Sequence, residues 1–198
     1  MIACIRSSKL DLLLIYKHKL VFSSIISAFI LIILISVTFK TSGIILSKII
    51  PHTLFYTSLI YISITDQTTL RIPNKITLIG IPIAYILSVS SIVNDELIII
   101  NQFTHLYGGI ILGSIFSIVY LMPRTKLGAG DVKLAIYIGI FIGFPYMLLS
   151  GLIGLITALL INIRKIALKT ESIEFPLGSG LAISAIAVDF CLLLLEII

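Results

Sequence analysis

From Leu134 to Ile163 the chain runs for 30 residues without one charged side chain, and Leu20–Phe39 is a second uncharged run of 20 residues. Crossing the ~30 Å hydrocarbon core of a bilayer takes about 20 apolar residues at 1.5 Å each. Such lengths constrain the fold before any motif is read, because lipid admits only helices or closed barrels, which satisfy their own backbone groups. The composition agrees. Of 198 residues, 59% are hydrophobic and 12% charged, against about 45–50% and about 25% in soluble domains. Mean hydropathy is +1.20. This excludes a water-soluble globule, a disordered chain and a nucleic-acid-binding domain. The isoelectric point of about 9.3 does not reverse the last exclusion. The basic residues stand in short clusters between apolar runs, as loop charge on a membrane protein does. Leu20–Phe39 is too long for a signal-peptide core and no small-residue cleavage site follows it, so it reads as a retained span.

Further apolar runs lie at Ile49–Thr65, Ile76–Val93 and Leu106–Met122. As one helix, Leu134–Ile163 would be ~45 Å long. Phe144-Pro145 sits near its middle, and proline breaks helices, so the run divides into two spans, the first of them short. A last span starts near Pro176 and carries Asp189. With seven spans and a cytoplasmic N-terminus, the inner segments hold Arg6, Lys9, Lys17, Lys19, Arg71, Lys75, Arg124, Lys126, Lys133, Arg164, Lys165 and Lys169. Only Lys40 and Lys48, of the 14 basic residues, then lie outside. Leaving the long run undivided would move Arg164, Lys165 and Lys169 outward and weaken the asymmetry that sets topology. The expected fold is therefore an all-α polytopic membrane protein. It is a bundle of about seven transmembrane helices, six if the first is peripheral to the core. Residues 1–48 form a cytoplasmic segment plus first span, and 49–198 the membrane-embedded domain. Asn94-Asp95-Glu96 falls in an outer loop. Cys4 and Cys191 lie far apart without a CxxC pair, which indicates neither a disulfide framework nor a zinc site. No metal and no cofactor is expected.

The short inner loops around Thr65–Lys75, Pro123–Lys133 and Arg164–Phe175 and their flanking helix ends are left to carry function. Asp66 closes the second span and Asp131 opens the fifth, so both fall on the cytoplasmic face at the edge of the lipid. Carboxylates at or within spans are costly and mark candidate sites. A plainer reading exists for each. Asp131 follows Gly128-Ala129-Gly130 and could cap a helix at its positive end. Asp66 could be a turn residue, although a helix C-terminus disfavours an anion. Pro73-Asn74 makes a turn before the third span. The glycines permit close backbone approach, and Lys133 could snorkel to headgroups.

Asp66-x6-Pro73-Asn74, followed by Lys126-Leu-Gly128-Ala-Gly130-Asp131-Val-Lys133-Leu134, resembles the type IV prepilin peptidases, membrane aspartic proteases with a GxGD motif. Phe175-Pro176-Leu-Gly178-Ser-Gly180-Leu-Ala182 is similar to the proline–glycine signature opening their last span. The resemblance runs from about Ile49 to the C-terminus. It implies an aspartic endopeptidase with Asp66 and Asp131 as catalytic pair and Pro73, Asn74, Gly128, Gly130, Lys133, Pro176 and Gly178 as supporting motif. It implies a multi-pass protein of the bacterial inner membrane, active at the cytoplasmic face on a type IV prepilin or pseudopilin precursor with a basic leader and an apolar helix. Larger members carry a cysteine-bearing methylating domain between the first two spans. Here that interval, Lys40–Lys48, is about nine residues, so the expectation is a peptidase without N-methylation.

Two carboxyls suffice for peptide hydrolysis because, placed close together, they share one proton and supply both base and acid. The helix dipoles suggest Asp131, at a helix start, as the anion and Asp66, at a helix end, as the acid. A broader intramembrane aspartic protease and a small non-enzymatic transporter or assembly subunit remain as alternatives. Asp189 is expected to make a structural hydrogen bond, His105 to lie at an interface, and Gly109/Gly113 and Gly139/Gly143 to pack helices. Glu171 and Glu174 read as solvated loop charges that could also meet a basic leader.

Overall fold

The computed structural model describes residues 46–90, 98–122, 127–167 and 176–197. Cys4, Leu20–Phe39, the acidic turn at Asn94, Lys126, Glu171 and Glu174 lie outside the described residues, as does nearly all of the segment 1–48. Among the described residues there are six helices and no strand: α1 Leu46–Thr69, α2 Asn74–Ser90, α3 Ile98–Leu121, α4 Ala129–Ile142, α5 Tyr146–Ala167 and α6 Leu177–Ile197.

Local chemistry explains the breaks. The N–H of Leu70 closes α1 on the carbonyl of Asp66 at 2.9 Å. Leu70 takes φ 53°, the left-handed turn that ends many helices and that a bulky side chain seldom adopts. Pro73 then starts α2, its carbonyl accepting the N–H groups of Ile76 and Thr77. Helix α1 thus runs one turn beyond Thr65, where its apolar run ends, and Asp66 lies inside the last turn rather than at the end. Similarly, α3 begins at Ile98, earlier than the apolar run at Leu106. Polar but uncharged residues such as Asn101 and Thr104 continue a helix, although they lower the hydropathy that marks a span.

The long uncharged run divides where Phe144-Pro145 predicted. Proline has no N–H to donate and its ring blocks the preceding turn. Helix α4 stops at Ile142, and Gly143 turns the chain with φ 79°. The Phe144 N–H goes to the Thr104 carbonyl of α3 at 3.0 Å instead of into its own helix. That leaves the Ile140 carbonyl, which His105 Nδ1 meets at 2.9 Å. A carbonyl oxygen only accepts, so Nδ1 carries the proton. His105 therefore holds the broken end of α4 against α3.

The short α4 is the centre of the bundle, in contact with α2, α3, α5 and α6, while α1 packs on α6 and α5 on α6. Leu134, Ala135 and Tyr137–Ile142 are buried against Phe55, Leu59 and Ile62 of α1, Leu112 and Phe116 of α3, and Leu181 and Ala185 of α6. The Phe55 and Phe141 rings stack with centroids 3.8 Å apart. Gly108 and Gly139 bring the α3 and α4 backbones into direct contact, and Gly109 and Gly113 receive Ile140 and Ile136. Small residues permit this approach where solvent gives helices little reason to associate. Asp189 of α6 is buried, but it accepts the Tyr56 hydroxyl at 2.7 Å and stands 3.6 Å from His52 Nε2.

Outward faces are apolar. Leu78, Ile79, Ile83 and Ile86 of α2, Ile110, Ile115 and Ile118 of α3, and Leu152, Ile156, Leu159 and Leu160 of α5 are all exposed. Among the described residues, two helical stretches, Phe103–Leu121 and Leu177–Leu195, are long and apolar enough to cross a membrane; Asn74–Val89 and Tyr146–Ile161 are shorter apolar helices.

Candidate active site

Three chain segments meet at one end of this bundle: the end of α1 with the link to α2, the start of α4, and the start of α6. Asp66 comes from the first. It is 4% exposed, and its Oδ2 accepts the backbone N–H of Ser179 at 2.8 Å. Ser179 is the third residue of α6, and first-turn N–H groups have no acceptor within their own helix. The carboxyl therefore lies at the positive end of α6. Gly178 makes that approach possible. A methyl group there would stand 3.1 Å from both Cγ and Oδ2 of Asp66. The Ser179 hydroxyl completes the turn by donating to the Pro176 carbonyl at 2.9 Å.

Asp131 comes from the second segment. It is the third residue of α4 and caps it reciprocally with Gly128. The Gly128 N–H donates to Asp131 Oδ2 at 3.1 Å, and the Asp131 N–H donates to the Gly128 carbonyl at 3.0 Å. The capping role weighed for Asp131 is thus real, though from the third helical position and not from the N-cap itself. Lys133, two residues further, donates its Nζ to Asn74 Oδ1 at 3.0 Å, which ties α4 to the start of α2. Asp66, Pro73, Asn74, Gly128, Gly130, Asp131, Lys133, Pro176 and Gly178 therefore belong to one neighbourhood.

Both carboxyls lie beyond the ends of the apolar runs, Asp66 after Thr65 and Asp131 before Leu134. Burial pushes each pKa upward. For Asp66 the N–H groups of Ser179 and Gly178 oppose that rise. For Asp131 burial is again the main cause, opposed by the Gly128 N–H and reinforced by the charge of Asp66, and the result is about 6. The charge of Asp66 thus reaches Asp131 across the site. The dipoles of α1 and α4 alone do not include the contribution of α6. The N-terminus of α6 supplies Asp66 with donors that favour an anion.

Sequence reasoning missed two participants, the Ser179 N–H and the side chain of Ile72. Ser179 stood in the sequence only as a residue of the proline–glycine stretch; that its N–H meets a carboxylate 113 residues away has no local signature. Two cavities, of about 360 Å³ between α1, α2 and α4 and about 270 Å³ between α3 and α4, include neither aspartate. Among the described residues, no three His, Cys, Asp or Glu side chains come together as a metal site would require.

Over the described residues, the fold is a helical bundle with two carboxyls, Asp66 and Asp131, brought to one end. A family model described as the type IV leader peptidase family matches residues 53–163, more than half of the chain, and the protein belongs to that family. It is a leader-peptidase-like protease. The matched stretch contains Asp66, Pro73, Asn74, Gly128, Gly130, Asp131 and Lys133; Pro176 and Gly178 lie beyond it. Comparison with curated proteins and with solved structures gives no significant match.

Proposed function

We propose that this protein is a multi-pass membrane aspartic endopeptidase of the bacterial inner membrane. It removes the short basic leader from type IV prepilin-like precursors at the cytoplasmic face and does not methylate the new N-terminus. The observation that carries the reading is that Asp66 and Asp131, delivered from separate helices, flank Ile72 at one end of the bundle, through Gly178 and Gly130. The membrane setting is supported by the exposed leucines and isoleucines of α2, α3 and α5, since soluble monomers rarely expose apolar faces so large. Lipid covers such faces.

The chemistry follows from the two environments. Ionised Asp66 takes a proton from water as the oxygen attacks the scissile carbonyl carbon. Protonated Asp131 gives its proton to the carbonyl oxygen, so no separated charge develops. When the tetrahedral intermediate collapses and the C–N bond breaks, the proton held by Asp66 passes to the departing amine. One hydroxyl of the intermediate returns its proton to Asp131, which restores the starting state. The precursor's apolar helix lies among the enzyme's spans by van der Waals packing, with its leader in water.

The test is co-expression with a precursor of this type and a gel-shift readout. Asp66→Asn and Asp131→Asn should each abolish processing while the protein still inserts, because an amide neither ionises nor shares the proton. Asp→Glu at either position should cut the rate by ~100-fold or more, since a displacement of about 1 Å disrupts the reacting geometry. Normal processing by either Asn variant refutes the assignment.

A further inference from the structure

Ile72 lies in the link between α1 and α2, six residues after Asp66, and is half-buried. Its side chain fills the gap between two glycines of other segments. A methyl group added to Gly130 would stand 3.0 Å from Ile72 Cβ, and one added to Gly178 would stand 2.8 Å from Ile72 Cδ1. Gly130 is bonded directly to Asp131, and the Gly178 position also touches the Asp66 carboxyl. The branched side chain of Ile72 therefore reaches from the backbone beside one carboxyl to the backbone beside the other.

We infer that Ile72 is the specificity-determining residue of the site: wedged between Gly130 and Gly178, it leaves room for only a very small side chain on the N-terminal side of the scissile bond. The inference rests on the peptidase reading above. A carbonyl attacked between two carboxyls has its reacting atoms within about 3–3.5 Å of their partners, so the side chain on the adjoining α-carbon enters the same space. Gly130 and Gly178 present no side chain there. Ile72 does, and it is poorly able to move aside. It is β-branched, hence stiff at χ1, and its segment is tied at both ends. Before it, the Leu70 N–H is bonded to the Asp66 carbonyl, and after it Asn74 is held by Lys133. A fixed obstacle selects by size, whereas a flexible one would yield.

The experiment uses the full-length enzyme in detergent with precursors carrying Gly, Ala or Leu immediately before the cut, and compares kcat/KM for wild type, Ile72→Ala and Ile72→Val. The wild type should cleave the Gly precursor and discriminate strongly against the other two. Ile72→Ala should raise the Ala-to-Gly ratio at least about tenfold, the scale of one methyl group in a fitted pocket, and make the Leu precursor detectably cleavable. Ile72→Val, which lacks the Cδ1 that faces Gly178, should fall between. A purely structural role for Ile72 would lower all rates together and leave the ratio unchanged, which overturns the inference. Equal wild-type cleavage of Leu and Gly precursors overturns it as well, while the protease reading survives. Should Ile72→Ala be inactive on every precursor, the ratio for Ile72→Val decides. Failure of the wild type on the Gly precursor counts instead against the peptidase reading itself.

Discussion

A carboxyl near the end of a helix meets the negative pole of its own backbone, so Asp66 depends on a second helix for its charge. The first turn of α6 provides it, and Gly178 is what lets the two meet. Gly178→Ala puts a methyl group 2.8 Å from Ile72 Cδ1 and 3.1 Å from the Asp66 carboxyl. A shift of the carboxyl by even ~1 Å should cost ~100-fold in cleavage rate, without comparable loss of folded protein. Gly128→Ala should cost far less, because its methyl group would meet Asp131 Oδ2 at 3.3 Å and the Gly130 nitrogen at 3.9 Å, and its φ of −82° suits any residue. Paired cleavage assays with thermal melts distinguish the two. Asp131 makes a pH prediction. Its folded-state pKa, about 6, stands above the ordinary ~3.9. Below pH ~3.9 it is protonated in both folded and unfolded chains. As the pH rises towards 6 the unfolded chain ionises first, so the folded state loses stability over that window. Asp131→Asn has no such loss. It should be more stable than wild type at pH 7, by ~2 kcal/mol, and the gap should close towards pH 4. A wild type that melts higher than this variant at pH 7 would contradict the placement of Asp131.

Among the elements, α4 is the one on which the others depend. At 14 residues it is short because Pro145 follows it, and it reaches α3 so closely because both helices offer glycine at the crossing. Gly108 faces the Gly139 carbonyl and Gly139 faces the Gly108 backbone. No side chain there can rotate to make room. Gly139→Ala should therefore separate α3 from α4 and destabilise the fold by ~1–3 kcal/mol, the usual range for overpacking, with cleavage lost in proportion to folded protein. An unchanged melting temperature for this variant would mean that the α3–α4 contact is looser than it stands here. The proline break and the small-residue spacings were legible in sequence because each rests on backbone chemistry that operates within a few residues. The partner of each glycine was not, since the spacing Gly109/Gly113 marks a packing face without naming the Ile136 and Ile140 that fill it.

At the scale of the molecule, the proposed topology predicts that reporter fusions near Lys75, Lys126 and Lys169 report the cytoplasm and those near Lys48, Asp95 and Phe144 the opposite side. Twelve of 14 basic residues on the inner face set that orientation; Asp66 and Asp131 mapping to opposite faces would end the shared-site idea. The apolar helices, the division of the long uncharged run and the appearance of Asp66 and Asp131 at helix ends were all determined by the sequence alone. Hydropathy, charge and proline chemistry act along the chain, so they can be read along it. The surroundings of the pair were decided elsewhere. They depend on the N–H groups of α6 arriving at Asp66 from 113 residues away, and on Ile72 standing between Gly130 and Gly178. Those contacts follow from how the helices pack across the bundle, and the dipole of Asp66's own helix, the only one visible in its local sequence, points the other way.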